Sequence, residues 1–273
     1  MSITVRLCGG LGNTLFQYGF GLVIAQRLGT NLVLNTSSYH QDPMRQYSLG
    51  LFKGVTEKVD SYPPQPPFVQ ETGLPYNQEL VDSIKDGDTI IGYYQAEKYL
   101  LSVKQELIGR LIPVKPITDR AKQTLHLIES AGPRSTFLTI RRTDYLNSDF
   151  HGVLPLSYYL AALKEVSRKV DPIVFVFSDD PDWCESNLRL PYPTFISGNF
   201  DRTTKEHLGR EDSELALMWQ CHNAVMANSS YSFWGAWLGA DEKSGTITYP
   251  AKWFGSESKE DARDICPTRW LAI

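Results

Sequence analysis

The sequence predicts an α/β protein of two Rossmann-like halves, and three features support this prediction. Strand-like and helix-like segments alternate along most of the chain, as in parallel sheets flanked by helices. A glycine-rich turn joins the first strand, Ile3–Cys8, to the first helix. Ala131-Gly132-Pro133 is the clearest interruption, so we expect domains of residues 1–131 and 132–273. Such folds bind ligands at the carboxyl ends of their strands, which predicts a cleft between the halves.

Each element follows from its local pattern. The first helix runs from about residue 14 to residue 28 and ends at Gly29, and the next strand is Asn31–Leu34. From Asn35 to Asp88 the pattern breaks down around four prolines, which predicts a long surface excursion. The remaining elements of the first half are strand Thr89–Tyr94 and helices Leu101–Leu111 and Asp119–Ser130. Those of the second half are strand Thr136–Arg141, helix Leu156–Lys169, strand Ile173–Phe177, helix Pro181–Leu188, strand Thr194–Ile196, helix Asp212–Cys221, strand Ala224–Ala227, helix Tyr231–Leu238 and strand Thr246–Tyr249.

Composition and charge exclude several classes of protein. The 273 residues are 42% hydrophobic and 21% charged, close to the average soluble domain. No stretch approaches the roughly 20 apolar residues of a membrane span, and the N-terminus reads as a strand rather than a signal peptide. A net charge of −4 argues against a nucleic-acid partner. We therefore expect a cytoplasmic protein with at most peripheral membrane contact.

The spacing of cysteine and histidine predicts no metal site. The cysteines form no C-x-x-C pair, and the histidines show neither H-x-x-x-H nor H-E-x-x-H spacing. These residues are Cys8, Cys184, Cys221, Cys266, His40, His126, His151, His207 and His222.

The glycine-rich turn is the first candidate binding segment. Glycines in Gly9–Asn13 let the backbone approach a ligand and aim amide groups at an anion. Leu15 replaces the third glycine of G-x-G-x-x-G, Asn35 replaces the acid of the second strand, and no G-K-[ST] follows. The turn therefore fits neither an NAD-type nor a P-loop site, and it either binds phosphate differently or is only structural.

Arg141 and Arg142 follow an apolar strand and form the second candidate. Neighbouring strand residues point to opposite faces. One guanidinium can therefore clamp a diphosphate while the other ties into the fold through a carboxylate. A plain surface pair is the alternative, which is disfavoured because guanidiniums at the tip of a buried strand need partners.

Two further strand ends carry polar groups. Asp179 could hold a nucleotide base, a ribose or a metal, whereas Asp180 fits an N-cap before Pro181. Asn228–Ser232 places hydroxyl groups between a strand and a helix, as a nest for phosphate oxygens or as an ordinary cap. The tryptophans that follow are expected in the core.

Together these segments resemble the bacterial α-1,2-fucosyltransferases of glycosyltransferase family 11. The family's G-G-L-G-N-Q-x-F-Q-Y opening is matched by Gly9–Tyr18, its H-x-R-R-G-D-Y by Thr139–Tyr145 and its H-G-V by His151–Val153. F-S-D-D is matched by Phe177–Asp180, and N-S-S-F-S-W-W-G-A-W-L by Asn228–Leu238. The matches keep the family's order and run nearly from end to end. Three residues differ: Thr139, Thr14 and Thr143 stand where the family has histidine, glutamine and glycine.

The resemblance implies a GT-B fold, in which two Rossmann-like domains face each other across a cleft, and an inverting reaction without metal or other cofactor. Residues 132–273 would bind the donor nucleotide, and residues 1–131 would lie on the acceptor side. Arg141 would bind the β-phosphate of the donor, and Asp179 the nucleotide. The other implied donor-binding residues are Gly10, Gly12, Asn13, Ser229, Ser230 and Ser232.

The implied reaction moves L-fucose from GDP-fucose to the 2-hydroxyl of a terminal β-galactose in a glycan. Arg141 and the serines would neutralise the departing diphosphate, and a carboxylate would deprotonate the acceptor. Asp144 is either that base or a structural partner of the arginines, with Asp149 and His151 as alternatives. Two rival classes stay open. One is a metal-dependent GT-A transferase using Asp180-Pro181-Asp182 or Asp86-Gly87-Asp88, and the other is a non-catalytic nucleotide-sugar or glycan-binding protein.

Overall fold

The computed structural model describes residues 2–115, 117–197 and 211–273, so His207 lies outside the described residues. The chain divides into two compact units. The first comprises Met1–Val114 and Glu260–Pro267, and the second comprises Lys115–Lys259 and Thr268–Ile273.

The first unit contains a five-stranded sheet in the order β3-β2-β1-β5-β4, with every pair parallel. The strands are β1 (Ser2–Arg6), β2 (Asn31–Asn35), β3 (Lys58–Asp60), β4 (Phe68–Gln70) and β5 (Thr89–Ile91). The α-helices are α1 (Leu11–Leu28), α2 (Gln78–Ser83) and α3 (Lys104–Arg110), and short 3-10 turns lie at Ser37–Gln41, Leu49–Leu51, Glu97–Tyr99 and Leu101–Val103. Because the strands are parallel, their carboxyl ends share one edge of the sheet.

Helix α1 covers the sheet of the first unit and is buried along most of its length. It begins directly after Gly10, three residues earlier than the sequence predicted, and ends as predicted at Gly29, whose φ of 62° suits glycine. Gly21 lets the helix approach the sheet, because a Cβ there would lie 2.6 Å from Val5.

The second unit contains a six-stranded parallel sheet in the order β11-β10-β9-β6-β7-β8. The strands are β6 (Ser135–Ile140), β7 (Ile173–Ser178), β8 (Thr194–Ile196), β9 (Asn223–Val225), β10 (Ile247–Tyr249) and β11 (Leu271–Ala272). The helices are α4 (Asp119–Ala131), α5 (Leu156–Ser167), α6 (Pro181–Asn187), α7 (Glu211–Gln220) and α8 (Ser230–Gly235), which continues as a π-helical turn at Ala236–Ala240. Leu138, Val174 and Val176 pack with α5 in a fully buried core.

Two features differ from the sequence prediction. Helix α4 precedes the break at Gly132 but packs against α7 and β6, so the division between the units follows Val114. The segment 35–88 is not only a surface excursion, because β3 and β4 complete the two edges of the first sheet. Strands of three residues are too short for an alternation of polar and apolar residues to reveal them in the sequence.

Within the described residues, no helix combines the length and apolar character needed to cross a bilayer.

Candidate active site

Polar segments of the second unit leave the carboxyl ends of three adjacent strands. Arg141–Tyr145 follows β6, Asp179 and Asp180 follow β7, and Asn228 lies just beyond β9. Since β9, β6 and β7 are neighbours in a parallel sheet, these segments meet at one edge.

The Arg141 side chain lies among carboxylates and is only 24% exposed. Its Nη2 donates to Asp144 Oδ1 at 2.8 Å, and its Nε lies 3.3 Å from Asp179 Oδ2. The guanidinium carbon lies 5.2 Å from the ring centroid of Tyr145. Burial opposes the charge, but Asp179, Tyr145 and Asp144 outweigh it and raise the pKa of Arg141. The buried Nε has the ion-pair contact with Asp179 but no well-directed hydrogen bond to a described residue, and the guanidinium as a whole is a permanent cation.

The Arg142 side chain is held by contacts with other residues of the second unit. Its Nε lies 3.1 Å from Asp180 Oδ2, and its guanidinium carbon lies 3.9 Å from the ring centroid of Trp183. An ion pair and a cation–π contact together fix this side chain. The prediction that one arginine of the pair ties into the fold through a carboxylate is confirmed.

Asp179 and Asp180 hold the arginine loop and the following helix. Asp179 accepts hydrogen bonds from Arg142 N at 2.9 Å and from the Thr143 hydroxyl at 2.8 Å. Thr143, which stands where the family has glycine, thus anchors the loop to β7. Asp180 Oδ1 accepts from Trp183 N at 3.2 Å, which confirms the predicted N-cap of α6.

The serine segment divides into buried and accessible residues. Ser232 is 1% exposed, and its hydroxyl oxygen lies 2.7 Å from Thr139 Oγ1, which also accepts a hydrogen bond from Ala227 N. Ser232 therefore faces the interior, contrary to its predicted contact with the donor, because the helical phase of α8 turns it toward β6. Ser229 is 7% exposed at the N-cap position, and Ser230 is partly exposed. The two tryptophans that follow are fully buried, as predicted.

Tyr145 and Asn228 organise the loop after the arginine pair. The Tyr145 ring stacks on His151 with centroids 4.5 Å apart, and its hydroxyl donates to Asn228 O at 3.0 Å. The Asn228 amide donates to His151 O at 2.8 Å and to Trp253 O at 3.0 Å. One buried asparagine thereby joins two loops, and the exposed Asp149 lies on the first of them.

Glu214 on α7 is a residue with an unusual pKa that sequence reasoning missed. Burial raises the pKa of Glu214 to about 8, and Glu211 adds to the rise while Arg141 opposes it. Glu214 therefore lies within electrostatic reach of Arg141. The available signal was an acid between a serine and a leucine inside a predicted helix.

The predicted donor residues Gly10, Gly12 and Asn13 belong to the first unit and do not share the edge of the second sheet that carries Arg141. Asn13 Oδ1 accepts a hydrogen bond from Gln95 Nε2 at 2.9 Å. The hydroxyl of Thr14, where the family has glutamine, is buried and donates to Leu11 O within α1.

Gln17 ties the glycine turn to the end of β5. Its Nε2 donates to Gly92 O at 2.9 Å, and its Oε1 accepts from Cys8 N at 3.0 Å. Two loops that follow adjacent strands are thus joined by one buried neutral amide.

Two of the four acids named for the GT-A alternative, Asp86 and Asp88, accept hydrogen bonds within the first unit. Asp86 Oδ1 accepts from the Thr30 hydroxyl at 2.9 Å, and the buried Asp88 accepts from Lys85 N at 2.7 Å. In the part of the chain that the structure describes, no three His, Cys, Asp or Glu residues are grouped to hold a metal ion.

Comparison with solved structures defines the class of the molecule. NodZ α-1,6-fucosyltransferase, in a crystal soaked with GDP-fucose, aligns over 87% of this chain and 92% of its own. The TM-score is 0.54 at 15% sequence identity, so the likeness concerns the fold. Two parallel α/β units and this neighbour show that the molecule has the GT-B fold.

The family follows from the sequence comparison. The model of Glycosyl transferase family 11 matches residues 90–273, so the chain belongs to that family. An alpha-1,2-colitosyltransferase of Escherichia coli is 29% identical and covers 100% of this chain and 99% of the relative. The O-antigen biosynthesis glycosyltransferase WbnK of Escherichia coli is 28% identical over 93% of this chain and 95% of its own. Rat galactoside alpha-(1,2)-fucosyltransferase 1 is 23% identical over 86% of this chain and 63% of its own.

Proposed function

We propose that this glycosyltransferase moves L-fucose from GDP-fucose to the 2-hydroxyl of a terminal β-galactose, with inversion and without a metal ion. The observation that carries the proposal is the Arg141 guanidinium, a permanent cation that two aspartates hold at a sheet edge and that is still 24% exposed. Such a group suits the diphosphate of a nucleotide sugar, because it offers directed N–H groups with a permanent charge.

The proposed reaction is a single displacement. The acceptor oxygen forms a bond to the anomeric carbon of fucose from the face opposite the diphosphate. The bond from that carbon to the phosphate oxygen breaks, and its electron pair leaves with GDP. Arg141 neutralises the growing negative charge, which is the electrostatic contribution that usually dominates catalysis. Ser229, Ser230, Gly10, Gly12 and Asn13 are the proposed supporting donor contacts.

The acceptor proton needs a base, and the contacts favour Asp149 over Asp144. Asp144 already accepts a hydrogen bond from Arg141, and a carboxylate held by a guanidinium is a poor proton acceptor. Asp149 is exposed on the loop that follows. His151 stacks on Tyr145 with an interplanar angle of 9°, which fixes its ring. We assign Asp149 as the base and Asp144 as the residue that positions Arg141.

The identity of the donor sugar has one rival. A relative spanning the whole chain is a colitosyltransferase, and colitose is L-fucose without its 3-hydroxyl. The two donors therefore differ by one hydroxyl group, and the same diphosphate clamp serves both.

The test is a donor and acceptor screen with the purified chain. GDP-fucose and nucleotide-activated colitose are each offered with methyl β-D-galactoside, and GDP release and the linkage of the product are measured. We expect α-1,2-fucosyl product, with turnover in excess EDTA within about twofold of the untreated rate. Loss of turnover in EDTA that manganese restores would contradict metal independence. A strong preference for the colitosyl donor would reassign the sugar, and GDP binding without any turnover would favour a binding protein.

A further inference from the structure

A row of aromatic rings leads away from Arg141 toward the surface of the second unit. Tyr145, whose ring contacts the guanidinium, stacks on His151, and Phe150 meets His151 edge-on with centroids 5.0 Å apart. Phe150 then contacts Phe254, with centroids 4.8 Å apart and an interplanar angle of 47°. Phe150 is 43% exposed, so the row ends in an aromatic surface open to solvent.

The backbone is built to hold Phe150 beside Phe254. Gly255 N donates to Phe150 O at 2.7 Å, and a Cβ on Gly255 would lie 1.9 Å from Asp149 O. Gly152 has a φ of +69°, which favours glycine, and its loop lies against Gly255 at ordinary contact distance. Two glycines and the Asn228 amide therefore fix the ring pair, which is not an incidental surface contact.

The chemistry of this surface fits a sugar. One face of a β-galactose ring carries C–H groups, and C–H groups pack well on the negative face of an aromatic ring. The hydroxyl groups of the same sugar stay in water or meet polar neighbours, and His151, whose ring meets Phe150 edge-on, is one such neighbour. A surface aromatic pair continuous with a buried cation therefore combines stacking and polar contacts in one subsite.

We propose that Phe150 and Phe254 form an acceptor shelf, which binds the C–H face of the terminal β-galactoside. The shelf places the sugar beside Asp149, the base assigned above, and so determines which acceptors are used. This inference rests on the proposed function, because it names the acceptor subsite of the same reaction. It places that subsite in the second unit, whereas the family resemblance implied an acceptor side in residues 1–131.

The test separates acceptor binding from donor binding. Binding of methyl β-D-galactoside to the GDP-loaded protein is measured by saturation-transfer NMR, and the acceptor KM and GDP Kd are measured in parallel. Phe150→Ala and Phe254→Ala should each weaken galactoside binding and raise the acceptor KM about tenfold. The Kd for GDP should not change. Phe150→Trp, which keeps a stacking surface, should retain most of the acceptor affinity.

Phe195→Ala is the matched control. Phe195 is 40% exposed in the same unit and stacks on Phe175, but it lies on the edge strand β8. Its removal should leave the acceptor KM unchanged, and melting temperatures will show whether any variant is unfolded.

The shelf is ruled out if both alanine variants keep the wild-type acceptor KM, or if the GDP-loaded wild type binds no galactoside. It is also ruled out if Phe150→Ala turns a dimer into a monomer without changing galactoside binding, because the rings would then bind a second copy. Failure of the proposed function looks different: GDP would not bind, or GDP-fucose would not turn over with any acceptor.

Discussion

The loop after β1 in the first unit and the loop after β6 in the second unit have equivalent places in their sheets but are held by different chemistry. The first is tied down by neutral amides, those of Gln17 and Gln95. The second is tied down by ion pairs, Arg141 with Asp144 and Arg142 with Asp180. A neutral amide fixes the backbone without adding a net charge. The ion pairs of the second loop instead hold a cation, the Arg141 guanidinium, in place.

The charged loop is not simply a basic patch. Its two guanidiniums face three carboxylates, those of Asp144, Asp179 and Asp180. An anionic ligand would therefore be recognised by directed N–H groups rather than by an excess of positive charge. Glu214, with a pKa of about 8, is mainly protonated at neutral pH and so adds little further negative charge. The predictions below test whether charge in one loop and amide bonding in the other have these separate roles.

The largest effect is expected for Asp149→Asn. Loss of the base should lower kcat by about 10²–10⁴, while GDP binding and the melting temperature stay normal. Asp144→Asn is the matched comparison, because it weakens the hold on Arg141 and should instead reduce GDP affinity and thermal stability. If Asp144→Asn folds and binds GDP normally but loses turnover, the two roles are exchanged.

Arg141→Lys keeps the charge but loses the forked geometry. Removing one such electrostatic contact typically costs about 10²–10³ in kcat, and we expect steady-state kinetics with GDP-fucose to show a loss of this size. Arg142→Lys serves as the control, since it loses the contacts with Asp180 and Trp183 and should mainly lower the melting temperature. Near-normal turnover of Arg141→Lys would mean that net charge, not geometry, binds the diphosphate.

Features of the fold and the site were easiest to predict from the sequence where their physical cause lies close along the chain. The Asp180 cap before Pro181 rests on near neighbours and was predicted correctly. The prediction that one arginine of the pair ties into the fold through a carboxylate is also confirmed, although Arg142 and Asp180 are 38 residues apart. The inward turn of Ser232 depends on the helical phase of α8 against Thr139, 93 residues away. The raised pKa of Glu214 depends on the burial of its carboxyl in the folded chain. Tertiary contacts of this kind leave no periodic signal in the chain.

Glu214→Gln should alter the pH dependence of stability. Burial raises the pKa of Glu214 from 4.5 to about 8, so between these values the folded state keeps a proton that the unfolded state has released. The free energy of unfolding should therefore fall as pH rises from about 5 to 8, by at most about 1.4 kcal/mol per pH unit. Below that window both states are protonated, and above it both are ionised.

Urea unfolding at pH 5.5 and pH 8 measures this dependence. Glu214→Gln mimics the protonated carboxyl, so the advantage of the variant over the wild type should be larger at pH 8 than at pH 5.5. Glu165→Gln is the control, because Glu165 pairs with Arg168 near the surface. Equal pH slopes for the wild type and Glu214→Gln would show that Glu214 is ionised at neutral pH in the folded state.

The smallest effect concerns the neutral loop. Gln17→Leu fills the same space but leaves Cys8 N and Gly92 O without the bonds they make to the amide. Each buried group left unpaired costs about 1–3 kcal/mol, reduced where water reaches it, so we expect a loss of about 2 kcal/mol in urea unfolding. Gln26→Leu on the same helix is the matched control, because the side chain of Gln26 is exposed and donates to Glu106 near the surface. The loss for Gln17→Leu should persist unchanged from low to high salt, since no net charge is removed. A loss that salt abolishes would mean that charge holds the first loop as well.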